Sequence, residues 1–145
     1  MKVEIISVGT ELLEGKTNLD ISILGDKLYR SGFDVARAVT VGDDPQELKA
    51  AILSALKSDD VRVIIITGGL GPTFDDITAE TAADAIGRKT YLDPEVVKSI
   101  KQKFEKRKLD YSPSNDQQAR IISGAKILEN PYGTAVGQIV EISSS

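Results

Sequence analysis

Three glycines and two aspartates follow a strongly apolar segment in the middle of the chain. The glycines are Gly68, Gly69 and Gly71, and the acids are Asp75 and Asp76. Glycine leaves the backbone bare, so that the phosphates of a ligand could approach its amides closely, and carboxylates are ligands that a hard cation such as Mg²⁺ prefers. The pattern therefore predicts a phosphate-binding loop that could also hold a metal. The alternative is a tight turn in which the glycines serve only the backbone and the acids cap the next helix.

The composition narrows the chemistry available to such a loop. The 145 residues include no Cys and no His, which excludes disulfides, thiolate nucleophiles, histidine-ligated zinc and the Ser-His-Asp triad. Any catalysis must use carboxylates, Lys, Arg, hydroxyls, backbone amides or an oxygen-ligated cation. A net charge of −4 argues against nucleic acid as a partner. With no apolar run near the roughly 18 residues of a membrane span and no signal-peptide pattern, we expect a cytoplasmic protein that does not contact a membrane.

Three strands are predicted to precede and position the loops. The segment 61–66 is nearly all apolar and β-branched, which is typical of a strand buried on both faces of a parallel sheet. The segment 3–8 has a similar apolar pattern. The segment 33–41 is interrupted by Arg37 and Thr40, so we expect it to lie nearer an edge.

Helix starts are predicted from capping residues and prolines. Asp44 and Asp93 each precede a proline, the pattern of an N-cap followed by the first helical residue. Thr17 and Asp20 have the spacing of a capping box. Further helices are expected over 79–86 and 115–123.

The C-terminal part is predicted to add a helix with a basic face and a pair of strands. Lysines and arginines between 98 and 108 indicate a solvated helix face, with an anion or partner patch as the alternative. Strands are expected at 125–128 and 136–142, joined by a turn-rich loop over 130–135.

The alternation of strands and helices predicts a mostly parallel sheet with helices on both faces. If the second strand lies on one side of the first and the third on the other, a crevice opens at the carboxyl ends of strands one and three, where ligands of such sheets bind. This order predicts that the loop at 9–11, Asp43 and the loop at 68–76 converge on one site.

Four segments together carry a family resemblance: GTELLEG at 9–15, TVGDDP at 40–45, TGGLGPTFDDIT at 67–78 and NPYGTAVG at 130–137, with Asn-x-x-Gln-Ala at 115–119. They resemble the N-terminal domain of the CinA family, within the molybdopterin-binding (MoaB/Mog) domain superfamily. The resemblance implies a three-layer α/β/α sandwich with a mostly parallel sheet and a C-terminal antiparallel strand pair. It implies one domain over 1–142, a tail over 143–145, and a homo-oligomer, dimer or trimer.

The resemblance also implies roles for individual residues. Asp43 and Asp76 fall on the aspartates that matter for catalysis and metal binding, with Asp75 as a further candidate metal ligand. A divalent cation, Mg²⁺ or Co²⁺, is the implied cofactor. The implied ligand-binding residues are Gly9, Thr10, Glu11, Thr67, Gly68, Gly69, Gly71, Pro72, Thr78, Asn130, Pro131, Gly133 and Thr134.

Three activities follow from the resemblance as expectations. The first is metal-dependent hydrolysis of the diphosphate bond of ADP-ribose; the second is a non-catalytic module that binds a nucleotide or a pterin such as molybdopterin; the third is adenylyl transfer to molybdopterin. Thr10-Glu11-Leu12 and the Gly-Gly-Leu-Gly-Pro loop favour the CinA branch over the adenylyltransferases. Nicotinamide-mononucleotide deamidation belongs to a separate CinA domain and is not expected here. Gln138 departs from the more hydrophobic continuation expected after the last glycine.

Overall fold

The computed structural model describes residues 1–143, which divide into a first unit, Met1–Gly69, and a second unit that begins at Leu70. Of the predicted tail, residues 144–145 lie outside the described residues. The predicted single domain over 1–142 stays a prediction. No helix within 1–143 is both long enough and apolar enough to span a membrane.

The first unit is built on a three-stranded parallel sheet. Its strands are β1 (Lys2–Val8), β2 (Asp34–Val41) and β3 (Val61–Thr67), and its helices are α1 (Thr10–Leu13), α2 (Leu19–Arg30) and α3 (Pro45–Leu56). The sheet order is β2-β1-β3, with β1 paired in parallel to both neighbours. The strand order on which the predicted crevice depends is therefore present, and the carboxyl ends of β1 and β3 lie side by side.

Burial in this sheet differs from the prediction for β3. Residues 3–8 of β1 are all buried, whereas the apolar residues of β3 are only half-buried. The expectation that β3 is covered on both faces was wrong. The reason is that β1 is central and is covered by neighbours on both sides, while β3 pairs with β1 alone among the described residues. The edge position predicted for β2 is confirmed by its mostly exposed residues.

The buried strand β1 contains one carboxylate, Glu4, which is 1% exposed. The pairing of β1 with β2 shifts by one residue between Val3 and Glu4, and this shift places Glu4 opposite Arg37. Arg37 donates from Nε and from a terminal guanidinium nitrogen to Oε1 of Glu4, at 2.9 and 2.7 Å. An irregularity of this kind re-aims side chains along a strand, and here it gives the buried charge a partner.

The predicted helix starts are confirmed at Asp44 and corrected at Thr17. The Asp44 side chain accepts from the backbone N–H groups of residues 46 and 47, at 2.7 and 3.2 Å, and Pro45 begins α3. The N-cap of α2 is Asn18, whose side chain accepts from the N–H of Ile21 at 3.2 Å. The capping box predicted from Thr17 is therefore wrong, because the adjacent Asn, at least as good a cap as Thr, starts the helix one residue later.

The second unit combines helices with short antiparallel strands. Its elements are α4 (Thr78–Ala85), β4 (Thr90–Leu92), α5 (Pro94–Lys106), a 3₁₀ helix (Pro113–Ala119), β5 (Arg120–Ile122), β6 (Lys126–Leu128) and β7 (Gly137–Ile139). Asp93 caps α5 as predicted, accepting at 2.9 and 3.1 Å from the N–H groups of residues 95 and 96. The strand pairs are β4–β5 and β6–β7, both antiparallel. The predicted C-terminal antiparallel pair is confirmed, as is an α/β fold with a parallel sheet.

The helix predicted over 115–123 ends early. Its first half is the 3₁₀ helix, but residues 120–122 form β5. Ile121 and Ile122 are buried, and β-branched side chains fit a pleated strand better than a helix. Ile121 packs in the core of this unit with Val96 and Ile100 of α5.

Candidate functional site

The glycine loop after β3 is shaped first by its own backbone. Gly68 has a φ of +84°, and a Cβ at this position would overlap the carbonyl oxygen of Val8 at the end of β1. Gly69 also has a positive φ of 60°. Gly68 is therefore required by the approach of the loop to β1, and Gly69 is favoured by its positive φ, while their contact with a ligand stays a prediction.

A tight turn with Phe74 and Asp75 at its corner continues the loop in the second unit. The N–H of Asp76 donates to the carbonyl of Thr73 at 3.1 Å, which closes the turn. The Oδ2 atom of Asp76 accepts from the N–H of Thr73 at 2.8 Å and lies 2.7 Å from its hydroxyl. The carboxylate also accepts from the N–H of Gly71 and leaves no space for a Cβ there. Asp76 thus organises the loop, and the Gly71 amide is already occupied.

These contacts control the ionisation of Asp76. Burial raises the pKa of its carboxyl group, but the hydroxyl and amide of Thr73 and the amide of Gly71 together lower the pKa to below its ordinary value. Hydrogen bonds donated to a carboxylate favour its charged form, so Asp76 is ionised at neutral pH.

Asp75 shares a partner with Asp76. The Thr73 hydroxyl lies within hydrogen-bonding distance of Oδ1 of Asp75 as well as Oδ2 of Asp76. A hydroxyl has one proton and can donate to only one of the two carboxylates. Two carboxylates therefore contact one hydroxyl, and carboxylate and hydroxyl oxygens are donors that a hard cation takes. Within residues 1–143, however, no group of three or more acidic side chains comes together to hold a metal.

In the first unit, Asp43 and Thr10 join the loops that follow β2 and β1. The N–H of Thr10 donates to Oδ2 of Asp43 at 3.0 Å, and the N–H of Asp43 donates to the Thr10 hydroxyl at 3.0 Å. The N–H of Gly9 also donates to the carbonyl of Val41 at 3.0 Å. The predicted proximity of the loop at 9–11 to Asp43 is therefore present, and both Asp43 and Thr10 have a clear structural role.

Four further predicted residues lie in or beside the loops of their own units. The Glu11 carboxylate folds back over Gly9, where a Cβ would lie 2.7 Å from its Oε2 atom. The Thr67 hydroxyl is 3.5 Å from that of Ser7, at the limit of a hydrogen bond. Thr78 is buried at the first residue of α4, and Pro72 is half-buried.

The predicted residues between β6 and β7 form a loop organised by Asn130. Its Oδ1 atom accepts from the N–H groups of Tyr132 and Gly133, both at 3.0 Å, and its Nδ2 atom donates to the carbonyl of Ala135 at 2.9 Å. Asn130 is thus engaged by its own loop. Pro131 is exposed and Thr134 is half-buried.

Two cations hold this loop, one in α5 and one directly after it, and their role was missed in the sequence. Lys103 donates to the carbonyls of Asn130 and Gly133 at 2.7 and 2.9 Å. Arg107 donates to the carbonyl of Tyr132 at 2.8 Å. The predicted solvated face is confirmed at Arg107, which is exposed, whereas Lys103 is half-buried; both side chains also bind backbone carbonyls of the loop. Their spacing of four residues, which places both on one side of a helix, was the available signal.

Two glutamines also bind backbone groups. Gln118, from the Asn-x-x-Gln-Ala segment, donates to the carbonyl of Leu70 at 3.3 Å and so contacts the glycine loop. Gln138 accepts from the N–H of Ile122 at 2.8 Å and donates to the carbonyl of Arg120 at 3.0 Å. This is the pattern that a residue of a parallel neighbouring strand makes, which explains the amide at a position where a hydrophobic residue was expected.

A cleft of about 240 Å³ lies in the first unit, and the residues that line it belong to none of the loops described above. It is lined by residues that include both ends of two ion pairs, Arg37 with Glu4 and Lys2 with Asp60. Its charges therefore pair with one another, so we do not assign it to ligand binding.

Comparison with known proteins supports the family. The sequence pattern of a family described as a probable molybdopterin binding domain matches residues 4–144. The chain is 46% identical over 142 residues to a CinA-like protein of Endomicrobium trichonymphae, covering 97% of this chain and 33% of that protein. It is also 46% identical over 142 residues to a putative competence-damage inducible protein of Caldicellulosiruptor bescii, covering 97% and 34%. The chain therefore spans about one third of the length of these curated relatives.

Comparison with solved structures supports the same family. The crystal structure of a CinA protein of unknown function from Thermoplasma acidophilum matches with a TM-score of 0.87 and 34% identity, covering 99% of this chain and 84% of that one. The tungsten cofactor synthesizing protein MoaB of Pyrococcus furiosus matches with a TM-score of 0.53 and 19% identity, covering 94% and 78%, which supports the fold alone. The chain thus belongs to the family of probable molybdopterin binding domains, and within it to the CinA-like proteins.

Proposed function

We propose that the chain binds a small phosphorylated ligand, a nucleotide or a pterin such as molybdopterin, and hydrolyses the diphosphate bond of ADP-ribose with a divalent cation. The observation that carries the proposal is the turn at 73–76. It holds one carboxylate, Asp76, ionised by three donors and places a second, Asp75, against the same hydroxyl. The description of the family as a probable molybdopterin binding domain supports a ligand of this class.

The donor set in this turn fits Mg²⁺ or Co²⁺ better than a softer metal. Asp75, Asp76 and the Thr73 hydroxyl offer only oxygen atoms. Mg²⁺ in enzymes is commonly bound by one or two carboxylates together with substrate phosphates and water, so a third protein carboxylate is not required. A cation bound here would neutralise charge that develops on the phosphoryl oxygens.

The reaction needs water activation and ligand placement from the chain itself. Water adds to one phosphorus of the diphosphate and the bond from that phosphorus to the bridging oxygen breaks, which gives AMP and ribose 5-phosphate. The proton released by the water passes to solvent, and we propose Asp43 as the second catalytic carboxylate that the family resemblance implies. Thr10, whose amide and hydroxyl contact Asp43, orients that carboxylate.

A non-catalytic binding module is the second candidate. One observation favours it: Asp76 and Asp43 are both occupied by hydrogen bonds to their own loops, and the described residues hold no cluster of three acids.

The test compares neutral variants that preserve the loop. Asn in place of Asp76, Asp75 or Asp43 keeps one side-chain oxygen as an acceptor but removes the charge. The matched control is Asp110→Asn, at an exposed acid of the second unit. With ADP-ribose and Mg²⁺ or Co²⁺, we expect AMP release by the parent chain and by the control, and a loss of at least about 100-fold in Asp76→Asn, as for removal of one transition-state contact.

Each other outcome selects a different conclusion. Undiminished AMP release by a folded Asp76→Asn variant contradicts the hydrolase mechanism. Tight ligand binding by the parent with no product under either metal establishes the binding module. Formation of adenylylated molybdopterin from ATP and molybdopterin would instead establish the adenylyl transfer that the resemblance also allows.

A further inference from the structure

Phe74 is the most exposed large apolar residue among those that the structure describes, at 97% exposed. Single exposed apolar residues are common on protein surfaces, so exposure alone carries no function. What distinguishes Phe74 is the ordered backbone that presents it. It occupies the corner of the turn closed by the N–H of Asp76 and the carbonyl of Thr73, and the Asp76 side chain closes the same turn a second time. The Phe74 ring is therefore exposed to solvent on a turn that two hydrogen bonds fix.

The neighbours of Phe74 give this ring a chemical context. The two residues that follow it are the carboxylates that face the Thr73 hydroxyl, and the glycine loop precedes it at Gly68–Gly71. Gln118 further fixes the loop at the Leu70 carbonyl. One short segment thus carries an apolar aromatic face next to two carboxylates that would hold a phosphate-bound cation. A ligand with a planar heteroaromatic ring joined to phosphates presents the complementary pair of groups.

We propose that Phe74 is a specificity-determining residue that stacks against the planar ring of the phosphorylated ligand. This inference rests on the proposed function, because it assigns a ring-binding role within the same site. Stacking of a base on an aromatic side chain is worth about 1–3 kcal/mol, which corresponds to roughly 5- to 150-fold in affinity. Phe74 therefore raises the affinity for ligands that carry a planar ring and leaves the affinity for ring-free phosphates unchanged.

The experiment uses a matched pair of probes that the chain cannot hydrolyse. The ring-bearing probe is ADP-ribose with a methylene group in place of the bridging diphosphate oxygen, and the ring-free probe is methylenediphosphonate. Calorimetric affinities with Mg²⁺ are compared for the parent, Phe74→Ala and the control Tyr29→Ala, whose side chain on α2 is also exposed, at 79%. We expect Phe74→Ala to weaken the ring-bearing probe about tenfold or more, with methylenediphosphonate and the control unchanged.

A second variant reports on the contact directly. The chain contains no Trp, so Phe74→Trp introduces a single indole whose fluorescence should be quenched by the ring-bearing probe and not by methylenediphosphonate. Unchanged affinity of Phe74→Ala, equal weakening of both probes, or a change only in oligomeric state overturns the stacking role while leaving the proposed function intact. If the parent binds neither probe, both the proposed function and this inference fail.

Discussion

Replacing Arg37 with Met should destabilise the chain by about 1.5–2.5 kcal/mol, because it leaves the buried carboxylate of Glu4 without its cation. Removing one partner of a fully buried ion pair costs about 3–5 kcal/mol. The Glu4 side chain is 2% exposed, but that of Arg37 is 48% exposed, so water already screens one side of the pair. We therefore take about half of the fully buried value. Met keeps most of the apolar stem of Arg37, so the loss is mainly electrostatic.

The assay is urea unfolding followed by far-ultraviolet circular dichroism, with hydrogen exchange of β1 and β2 amides to locate the effect. The matched control is Lys2→Met, which breaks the exposed pair with Asp60 at the same end of β1; those side chains are 48% and 72% exposed. The control should leave the unfolding midpoint unchanged. The double variant Glu4→Leu with Arg37→Met should recover most of the lost stability, since no buried charge remains. If Arg37→Met unfolds no more easily than Lys2→Met, or if the double variant is as unstable as the single one, the reasoning is refuted.

Three other changes have outcomes set by single contacts. Gly68→Ala should lower the free energy of unfolding by roughly 1–3 kcal/mol in a thermal unfolding assay, because the new Cβ overlaps the Val8 carbonyl at a positive φ. Its control, Gly25→Ala, places the Cβ in open space on α2 and should raise that free energy by about 0.5–1 kcal/mol. Lys103→Met removes two bonds to carbonyls of the loop between β6 and β7, so limited proteolysis should cleave that loop faster than in the parent. The pKa of Asp76 is lowered in the folded state. Its contribution to stability is therefore present above the unfolded pKa of about 3.9 and is lost as pH falls through the folded pKa. The difference in unfolding free energy between the parent and Asp76→Asn should shrink between about pH 5 and pH 2, and a constant difference would contradict this assignment.

Local chemistry explains which parts of the fold were predictable. Asp44 and Asp93 cap helices through bonds to residues two and three positions away, so their sequence context contains the whole interaction. The burial of β3 depends on which strands lie beside it, and the chain segment itself does not contain that information. The β5 strand was mistaken for helix for the same reason: three residues become a strand only because β4 pairs with them.

In the candidate site, too, local interactions could be predicted and those between distant segments could not. Asp43 and Asp76 could be chosen from their positions after strands and in matching motifs. Their hydrogen-bond partners could be predicted only in part. Thr73, three residues from Asp76, is a local partner that the spacing allowed, whereas Thr10 and Asp43 are 33 residues apart and meet only because their strands are adjacent.

The side chain of Gln138 has a consequence for the behaviour of the chain in concentrated solution. Unpaired strand edges invite addition of a strand from another molecule, and β5 is a short strand with buried isoleucines. By occupying the N–H of Ile122 and the carbonyl of Arg120, one amide removes two of the groups that such a strand would need. A substitution at position 138 would leave both backbone groups without these partners, which is the condition under which an edge can accept a strand from another molecule.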